Sequence, residues 1–250
     1  MSDDSATPSG FDIFEGIDVS DAQGTIDWNA VANSGITFAY AKATDGKDPH
    51  ASFPTNWAGA GAAGIPRGAY HYFYPVPMGS DHLQRQVDVF LAQMGSLADN
   101  DLPPMVDVEQ SLPLRNRSGD VIFAAMAPQD IAASLTYWLE QVAEGCGRQP
   151  IIYTYPAYWR SMLADNTSFH AFHLWIAQYG NPPSPGSAER PPLGHAPTIP
   201  GGWAAYSIWQ YAVLSGLPGI STYVDRDSII LPSGTAIGDF LNGSPPGGPS

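Results

Sequence analysis

Eight short apolar segments recur along the 250 residues of this chain, and they constrain its fold more than any other feature. Helical patterns separate the early segments, which is the alternation expected of β/α units and a parallel sheet. Eight strands close a β/α barrel, and about 250 residues is a usual length for such a domain. The predicted strands are Phe14–Ser20, Ile36–Thr44, Arg67–Tyr74, Pro104–Glu109, Ile151–Tyr155, Leu174–Tyr179, Tyr206–Tyr211 and Tyr223–Asp227.

Two helices show clear apolar stripes. The first follows Ser80, a residue type that caps helix N-termini, and its apolar residues recur on one helix face from Leu83 to Met94. The second begins with Pro128 and stops near Gly147, which are typical residues for a helix start and a helix end. Shorter helices are predicted at Trp28–Val31, Pro54–Ala63 and Tyr158–Leu163.

The last third of the chain lacks this regularity. Residues 179–206 are rich in Pro and Gly, and no helical pattern separates the last three predicted strands. The fold class that the sequence predicts is therefore α/β, a TIM-like barrel with helices between its early strands and loops between its late ones.

Composition excludes several classes of function. The formal net charge is −14, and Lys42 and Lys47 are the only lysines, so the basic surface that binds nucleic acid is missing. No apolar run approaches the roughly 20 residues that span a bilayer, which argues against membrane insertion. The single Cys146 cannot form an internal disulfide, and no Cys-x-x-Cys pair is available for a metal.

Carboxylates occur near the ends of three predicted strands, where barrel enzymes gather their functional residues. Asp18 and Asp225 belong to the first and last strands, and Asp107 and Glu109 end the fourth. Because strand side chains alternate between faces, Asp107 and Glu109 point the same way while Val108 points outward. Two like charges at this spacing raise at least one pKa, so one residue type supplies both an acid and a base.

This pair of carboxylates has three interpretations. Cleavage of a glycosidic bond needs one carboxylic acid and one carboxylate. Carboxylates can instead hold a divalent metal ion, or they can be ordinary acids at a solvated strand end.

Aromatic and amide side chains lie on or beside the same strand ends. Sugar rings present apolar faces that stack on aromatic rings, and Gln and Tyr side chains hydrogen-bond hydroxyl and acetamido groups. The alternative for each ring is a place in an aromatic core. The candidate substrate-binding residues are Tyr70, Tyr72, Trp175, Gln178, Gln210 and Tyr211.

Seven blocks of the sequence together resemble a known family, the Chalaropsis-type lysozymes of glycoside hydrolase family 25. Their order and approximate spacing match that family from about Phe14 to Ile230. Any one block is weak, but seven in order are specific. The blocks are Gly16–Ser20, Ala41–Gly46, Gly68–Phe73, Asp107–Glu109, Trp175–Tyr179, Trp209–Tyr211 and Val224–Asp225.

The resemblance implies a fold and an activity. The family's fold is a modified barrel of five β/α units followed by three strands with little intervening helix. Its members are N-acetylmuramidases, which cut the β-1,4 bond from N-acetylmuramic acid to N-acetylglucosamine in bacterial peptidoglycan with net retention. No cofactor or metal is implied.

The resemblance also assigns roles to matching residues. Glu109 corresponds to the general acid/base, Asp107 to its partner, and Asp18 and Asp225 to the other two acids of the cleft. One position departs from the pattern, because Asp45 stands where the family usually has Glu. We expect this shorter side chain to lengthen or lose a supporting hydrogen bond.

Domain boundaries, partners and location follow from these inferences. We expect a disordered tail over residues 1–10, a catalytic barrel over 11–235, and over 236–250 a Pro/Gly-rich tail or the stump of a linker to a wall-binding module. The expected partner is bacterial peptidoglycan, and the protein is expected to be a monomer that acts at the cell wall. No signal peptide is visible, so both a phage endolysin released at host lysis and a secreted enzyme without its leader remain open.

Two other functions compete with this one. The same acids, with His71, could serve a metal-dependent polysaccharide hydrolase, although no His-x-x-x-His or His/Cys cluster is present. A glycan-binding protein of the cell wall without catalytic activity is the second alternative, but it would have no use for two close carboxylates.

Overall fold

A computed structural model describes residues 10–115, 119–179 and 196–247 of the chain. Eight strands, numbered here in chain order, form a barrel that closes because the first strand pairs with both the second and the last. All eight lie where strands were predicted, with shifted ends. They are β1 Phe11–Val19, β2 Ile36–Asp45, β3 Arg67–Tyr72, β4 Met105–Asp107, β5 Ile151–Thr154, β6 Leu174–Ala177, β7 Ile208–Leu214 and β8 Val224–Pro232.

One strand of the barrel runs in the direction opposite to the other seven. Neighbouring strands from β1 to β7 are parallel, whereas β8 is antiparallel to both β7 and β1. The amino end of β8 therefore lies at the same rim as the carboxyl ends of the other strands. This corrects the prediction for Asp225, which lies near the start of its strand rather than near its end and pairs in register with Asp18.

Five helices each follow one of the first five strands, which confirms the expected series of five β/α units. Ser80 caps the third helix by accepting from the backbone N–H of His82, and Gly147 ends the fourth with φ of 71°. In the described stretches between β6 and β7, residues 178–179 and 196–207, there is no helix. The helices are α1 Trp28–Asn33, α2 Phe53–Ala62, α3 Asp81–Met94, α4 Pro128–Cys146, α5 Pro156–Met162 and, after β8, α6 Ile237–Leu241.

Side chains alternate between the barrel interior and the helix layer. On β4, Val106 packs with the cluster that joins the barrel to its helices, and Val108 beyond the strand does the same. Met105 belongs instead to the interior cluster, and Asp107 shares its inward orientation. This confirms the predicted outward packing of Val108.

The packed part of the chain extends beyond the predicted boundary at residue 235. Ile237 and Leu241 of α6 are buried within the interior cluster. His173, which precedes β6, contacts the carbonyl oxygen of Gly243 through Nε2 at 3.1 Å. Residues 236–243 therefore belong to the barrel domain rather than to a tail. The ends of both predicted tails, residues 1–9 and 248–250, lie outside the described residues.

Among the described residues, every helix falls short of the length and apolar character that crossing a membrane requires.

Candidate active site

An open cleft of about 240 Å³ lies at the rim where the carboxyl ends of β1–β7 meet the amino end of β8. Its floor and walls come from all eight barrel strands or from the residues that follow them. The lining residues are Asp18, Lys42, Tyr70, Tyr72, Met105, Asp107, Glu109, Tyr153, Tyr179, Gln210 and Asp225.

All four predicted acids line this cleft. Asp18 is the last inward residue of β1, and Asp225 lies opposite it in the antiparallel ladder of β1 and β8. Asp107 ends β4, and Glu109 follows two residues later on the same side. Because strand ends from different parts of the sequence converge here, residues more than 200 positions apart form one cluster.

Burial raises the pKa of every acid in the cleft. The pKa of Asp18 and that of Asp107 lie well above the ordinary aspartate value, first because burial disfavours the charged form and then because of neighbouring carboxylates. Burial, followed by repulsion from Glu109, raises the pKa of Asp225 to about 6. Burial also raises the pKa of Glu109, whereas the ammonium group of Lys42 lowers it. The cleft acids therefore keep their protons to a higher pH than exposed carboxyl groups do.

Gln210, a predicted substrate-binding residue, lines the cleft, but its polar atoms already have protein partners. Its Nε2 donates to Asp18 Oδ2 at 2.8 Å. Its Oε1 accepts from the hydroxyl groups of Tyr153 and Tyr179 at 2.9 and 2.8 Å. The two tyrosine donors fix which end of the amide faces Asp18, so Gln210 holds that carboxylate in place.

Lys42 also lines the cleft, and its place in the sequence alone indicates no role for it. Its Nζ forms an ion pair with Asp45 Oδ2 at 2.7 Å and lies 4.6 Å from the centre of the Tyr72 ring. Lys42 lowers the pKa of both Asp107 and Glu109. The expected weakening at Asp45 is not seen, because the shorter carboxylate still reaches Lys42.

Tyrosine rings form one wall of the cleft. Tyr70 and Tyr72, two of the predicted substrate-binding residues, project into the cleft from β3, and the Tyr72 hydroxyl donates to Gln110 Oε1 at 3.3 Å. Tyr179 is 38% exposed at the edge of the cleft. Tyr179 ends the predicted strand Leu174–Tyr179 and is not among the predicted substrate contacts. These rings offer flat apolar surfaces next to the acids.

Three predicted substrate contacts lie outside the cleft. Trp175 points into the barrel but is fully buried, and its indole N–H donates to Asp227 Oδ1 at 3.1 Å. Tyr211 follows Gln210 on β7 and so faces the helix layer, where its hydroxyl donates to Glu15 Oε2 at 2.6 Å. The Oε1 atom of Gln178, which lies beyond the end of β6, accepts from the backbone N–H of residue 198 at 2.9 Å.

His71 lies on the opposite face of β3 from the acids. It is fully buried and stacks on Trp138, with ring centroids 5.0 Å apart and planes at 9°. Nδ1 lies 2.7 Å from Thr44 Oγ1, and burial lowers the pKa of His71 to about 3. His71 is therefore not available to the cleft acids. Among the described residues, no group of three or more His, Cys, Asp or Glu is arranged to hold a metal ion.

A closed α/β barrel with paired carboxyl groups and tyrosine rings in an open cleft has the parts of a glycoside hydrolase that acts through carboxylates. The sequence matches the model for glycosyl hydrolases family 25 over residues 17–220. The chain belongs to that family and is therefore a glycoside hydrolase.

Named relatives agree with the family. Lysozyme M1 of Streptomyces globisporus is 30% identical over 223 residues, which are 85% of this chain and 66% of that protein. N,O-diacetylmuramidase of Chalaropsis sp is 26% identical over 221 residues, 84% of this chain and 93% of that protein. This chain thus spans about two thirds of the length of Lysozyme M1.

Solved structures agree with the fold. The crystal structure of the bacterial lysozyme from Streptomyces coelicolor superposes with a TM-score of 0.72 at 28% identity. The superposition covers 91% of this chain and 98% of that one. The modified barrel expected from the sequence is thereby confirmed.

Lys42→Met should move the pH–rate profile for glycan hydrolysis upward by about 0.5–1 pH unit. Removal of the ammonium group raises the pKa of Asp107 and that of Glu109, so both the acidic and the alkaline limb shift the same way. The measurement is the initial rate of cell-wall clearing from pH 4 to pH 9, with the exposed Lys47→Met as the matched control. A profile identical to that of the parent would show that Lys42 does not tune these acids.

Proposed function

We propose that this chain is an N-acetylmuramidase, a lysozyme that hydrolyses the β-1,4 bond between N-acetylmuramic acid and N-acetylglucosamine in bacterial peptidoglycan with net retention. The observation that carries the proposal is the pair Asp107 and Glu109 at one rim of the open cleft, both with a raised pKa. Membership of the family and the names of the relatives support the same substrate.

Glu109 serves as the general acid and then as the general base. It is the more exposed member of the pair, so it can reach the glycosidic oxygen of a bound glycan. In the first step its proton goes to the leaving oxygen as the bond to the anomeric carbon breaks. In the second step the resulting carboxylate takes a proton from the attacking water.

Asp107 is placed to orient the acetamido group of the substrate. Its Oδ1 is buried and has no hydrogen-bond partner among the described residues, so it can accept from the acetamido N–H. The acetamido carbonyl oxygen then attacks the anomeric carbon, and water later displaces it from the opposite face. Two inversions give net retention. Both catalytic carboxylates come from one side of the sugar, which favours this route over attack by a carboxylate.

Substrate binding decides where the proton of the pair resides. In the free cleft, Asp107 is the more deeply buried of the two acids, and repulsion from Glu109 raises its pKa further. An N–H donor on Oδ1 stabilises the ionised form of Asp107. The shared proton is then held by Glu109, which needs it for the first step.

The remaining cleft residues hold the sugar and stabilise charge. Asp18 and Asp225 place negative charge beside the positive charge that develops at the anomeric carbon. Tyr70, Tyr72 and Tyr179 offer ring faces and hydroxyl groups to the glycan.

Location and assembly complete the proposal. The protein acts at the bacterial cell wall as a monomer, either secreted or released at host lysis. A net charge of −14 gives no electrostatic attraction to an anionic wall. A separate wall-binding module joined through the C-terminal Pro/Gly segment would supply that affinity.

Glu109→Gln should lower the rate of hydrolysis by about 10³-fold or more, because the amide cannot donate a proton to the leaving oxygen. The assay digests purified peptidoglycan and counts new reducing N-acetylmuramic acid ends by mass spectrometry. Glu140→Gln, an exposed change of the same kind on α4, should behave as the parent. Near-parental release by Glu109→Gln would refute the assignment, and reducing N-acetylglucosamine ends would refute the bond specificity.

Asp107→Asn should also be severely impaired, because its side chain cannot accept the acetamido N–H with the strength of a carboxylate. If the acetamido group is the nucleophile, added azide will not restore the rate, since no carboxylate nucleophile is missing. Activity is measured with and without sodium azide, and the products are examined for glycosyl azide. Rescue by azide would instead make Asp107 the nucleophile.

A further inference from the structure

Asp227 is a fully buried carboxyl group that the mechanism above does not use. It lies on β8 two residues after Asp225, so it also points into the barrel, with 0% of its surface exposed. In register it lies opposite Gly16 of β1 and Gln210 of β7. Asp227 does not line the cleft, and it belongs to the layer of side chains beneath it.

One oxygen of Asp227 has a partner and the other does not. Oδ1 accepts from the indole N–H of Trp175 at 3.1 Å. Oδ2 is buried and has no hydrogen-bond donor among the described residues. Asp18 and Asp227 influence each other's pKa: the Asp18 charge raises the pKa of Asp227, and a hydrogen bond from Asp227 lowers that of Asp18. An ionised Asp227 would therefore place an unpaired charge in the barrel interior directly beside a second carboxylate, which is costly.

No cation neutralises Asp227 from inside the barrel as far as the structure describes it. Arg226 is its sequence neighbour, but strand alternation turns that side chain to the outside, where Nη2 pairs with Glu15 Oε2 at 3.2 Å. The groups that face or influence Asp227 are Asp18 on β1, Tyr40 on β2, Trp175 and Tyr179 on and after β6, Tyr211 on β7, and Asp225 and Arg226 on its own strand.

We propose that Asp227 is a positioning residue that carries a proton on Oδ2 and donates a hydrogen bond to the Asp18 carboxylate. Gln210 Nε2 already donates to Asp18 Oδ2, so Asp18 would receive two donors from beneath the cleft. Asp18 is the member of this pair that ionises, because it lies next to the cleft and has the amide donor. The proposal rests on the proposed muramidase function, in which Asp18 contributes negative charge.

The proton on Asp227 maintains that charge. Without a donor at this position, burial and the neighbouring carboxylates would favour protonation of Asp18 itself. The carboxylate would also lose one of the two contacts that fix its orientation. Asp227 therefore acts on the reaction through Asp18 and makes no contact with substrate.

Two substitutions of Asp227 test whether the residue acts as a hydrogen-bond donor or as a carboxylate. Asp227→Asn places a permanent N–H donor where the proton is proposed, so it should keep kcat within about threefold of the parent. Asp227→Leu has a similar volume and no donor, so it should lower kcat about tenfold or more with a smaller change in KM. Ser228→Ala, a buried change on the outward face of β8, is the control and should match the parent.

Thermal stability provides a readout that does not depend on activity. If native Asp227 keeps its proton, its native pKa lies above the unfolded value of about 3.9, so the unfolded chain releases this proton first as the pH rises. The parent should then lose stability relative to Asp227→Asn as the pH rises above about 4, until the native group also ionises. The melting temperatures of both proteins are measured from pH 4 to pH 9.

Each result has a fixed meaning. Equal impairment of Asp227→Asn and Asp227→Leu, or full activity of Asp227→Leu, would overturn the positioning role. A difference in melting temperature that stays constant with pH would overturn the proton on Asp227, even where Asp227→Leu fails to fold. Absence of muramic acid ends from the parent would contradict the muramidase function, whereas the melting data would still decide the protonation of Asp227.

Discussion

Burial of carboxyl groups at one rim of a closed barrel is the constraint on which the rest of this structure depends. Desolvation disfavours the charged form of each acid, and each carboxylate that does ionise raises the pKa of its neighbours. The cluster therefore keeps its protons to a higher pH than exposed carboxyl groups do. A site in which one acid is still protonated beside others that have ionised is what hydrolysis of a glycosidic bond requires.

Few side chains offset this accumulation of negative charge. Lys42 is the cation that lowers the pKa of Asp107 and Glu109, and Asp45 and the Tyr72 ring hold it. Gln210 donates an N–H to Asp18, and two tyrosine hydroxyl groups fix its orientation. The amide donor of Gln210 stabilises the ionised form of a single carboxylate, Asp18, whereas Lys42 lowers the pKa of both Asp107 and Glu109. This difference explains how neighbouring acids can take different protonation states.

The sequence predicted the eight strands and the four cleft acids, because period-two alternation and position at a strand end are local properties. It did not predict the reversal of β8, which depends on pairing between distant strands. The substrate contact predicted for Tyr211 was wrong for a reason visible in the sequence. Tyr211 follows Gln210 on one strand, and adjacent residues of a strand cannot both face the barrel interior. The short helix α6 is too brief for a periodic signal, and its burial depends on the barrel end that it covers.

The central claim, that Asp107 and Glu109 share one proton at working pH, can be measured directly. A ¹³C NMR titration follows the side-chain carboxyl carbons of labelled Asp and Glu, assigned by comparison with Asp107→Asn and Glu109→Gln spectra. We predict two separated ionisation steps, with one carboxyl group of the pair still protonated well above pH 5, whereas exposed Asp and Glu side chains ionise near pH 4. Ionisation of both groups together below about pH 4.5, as for exposed carboxyl groups, would contradict it.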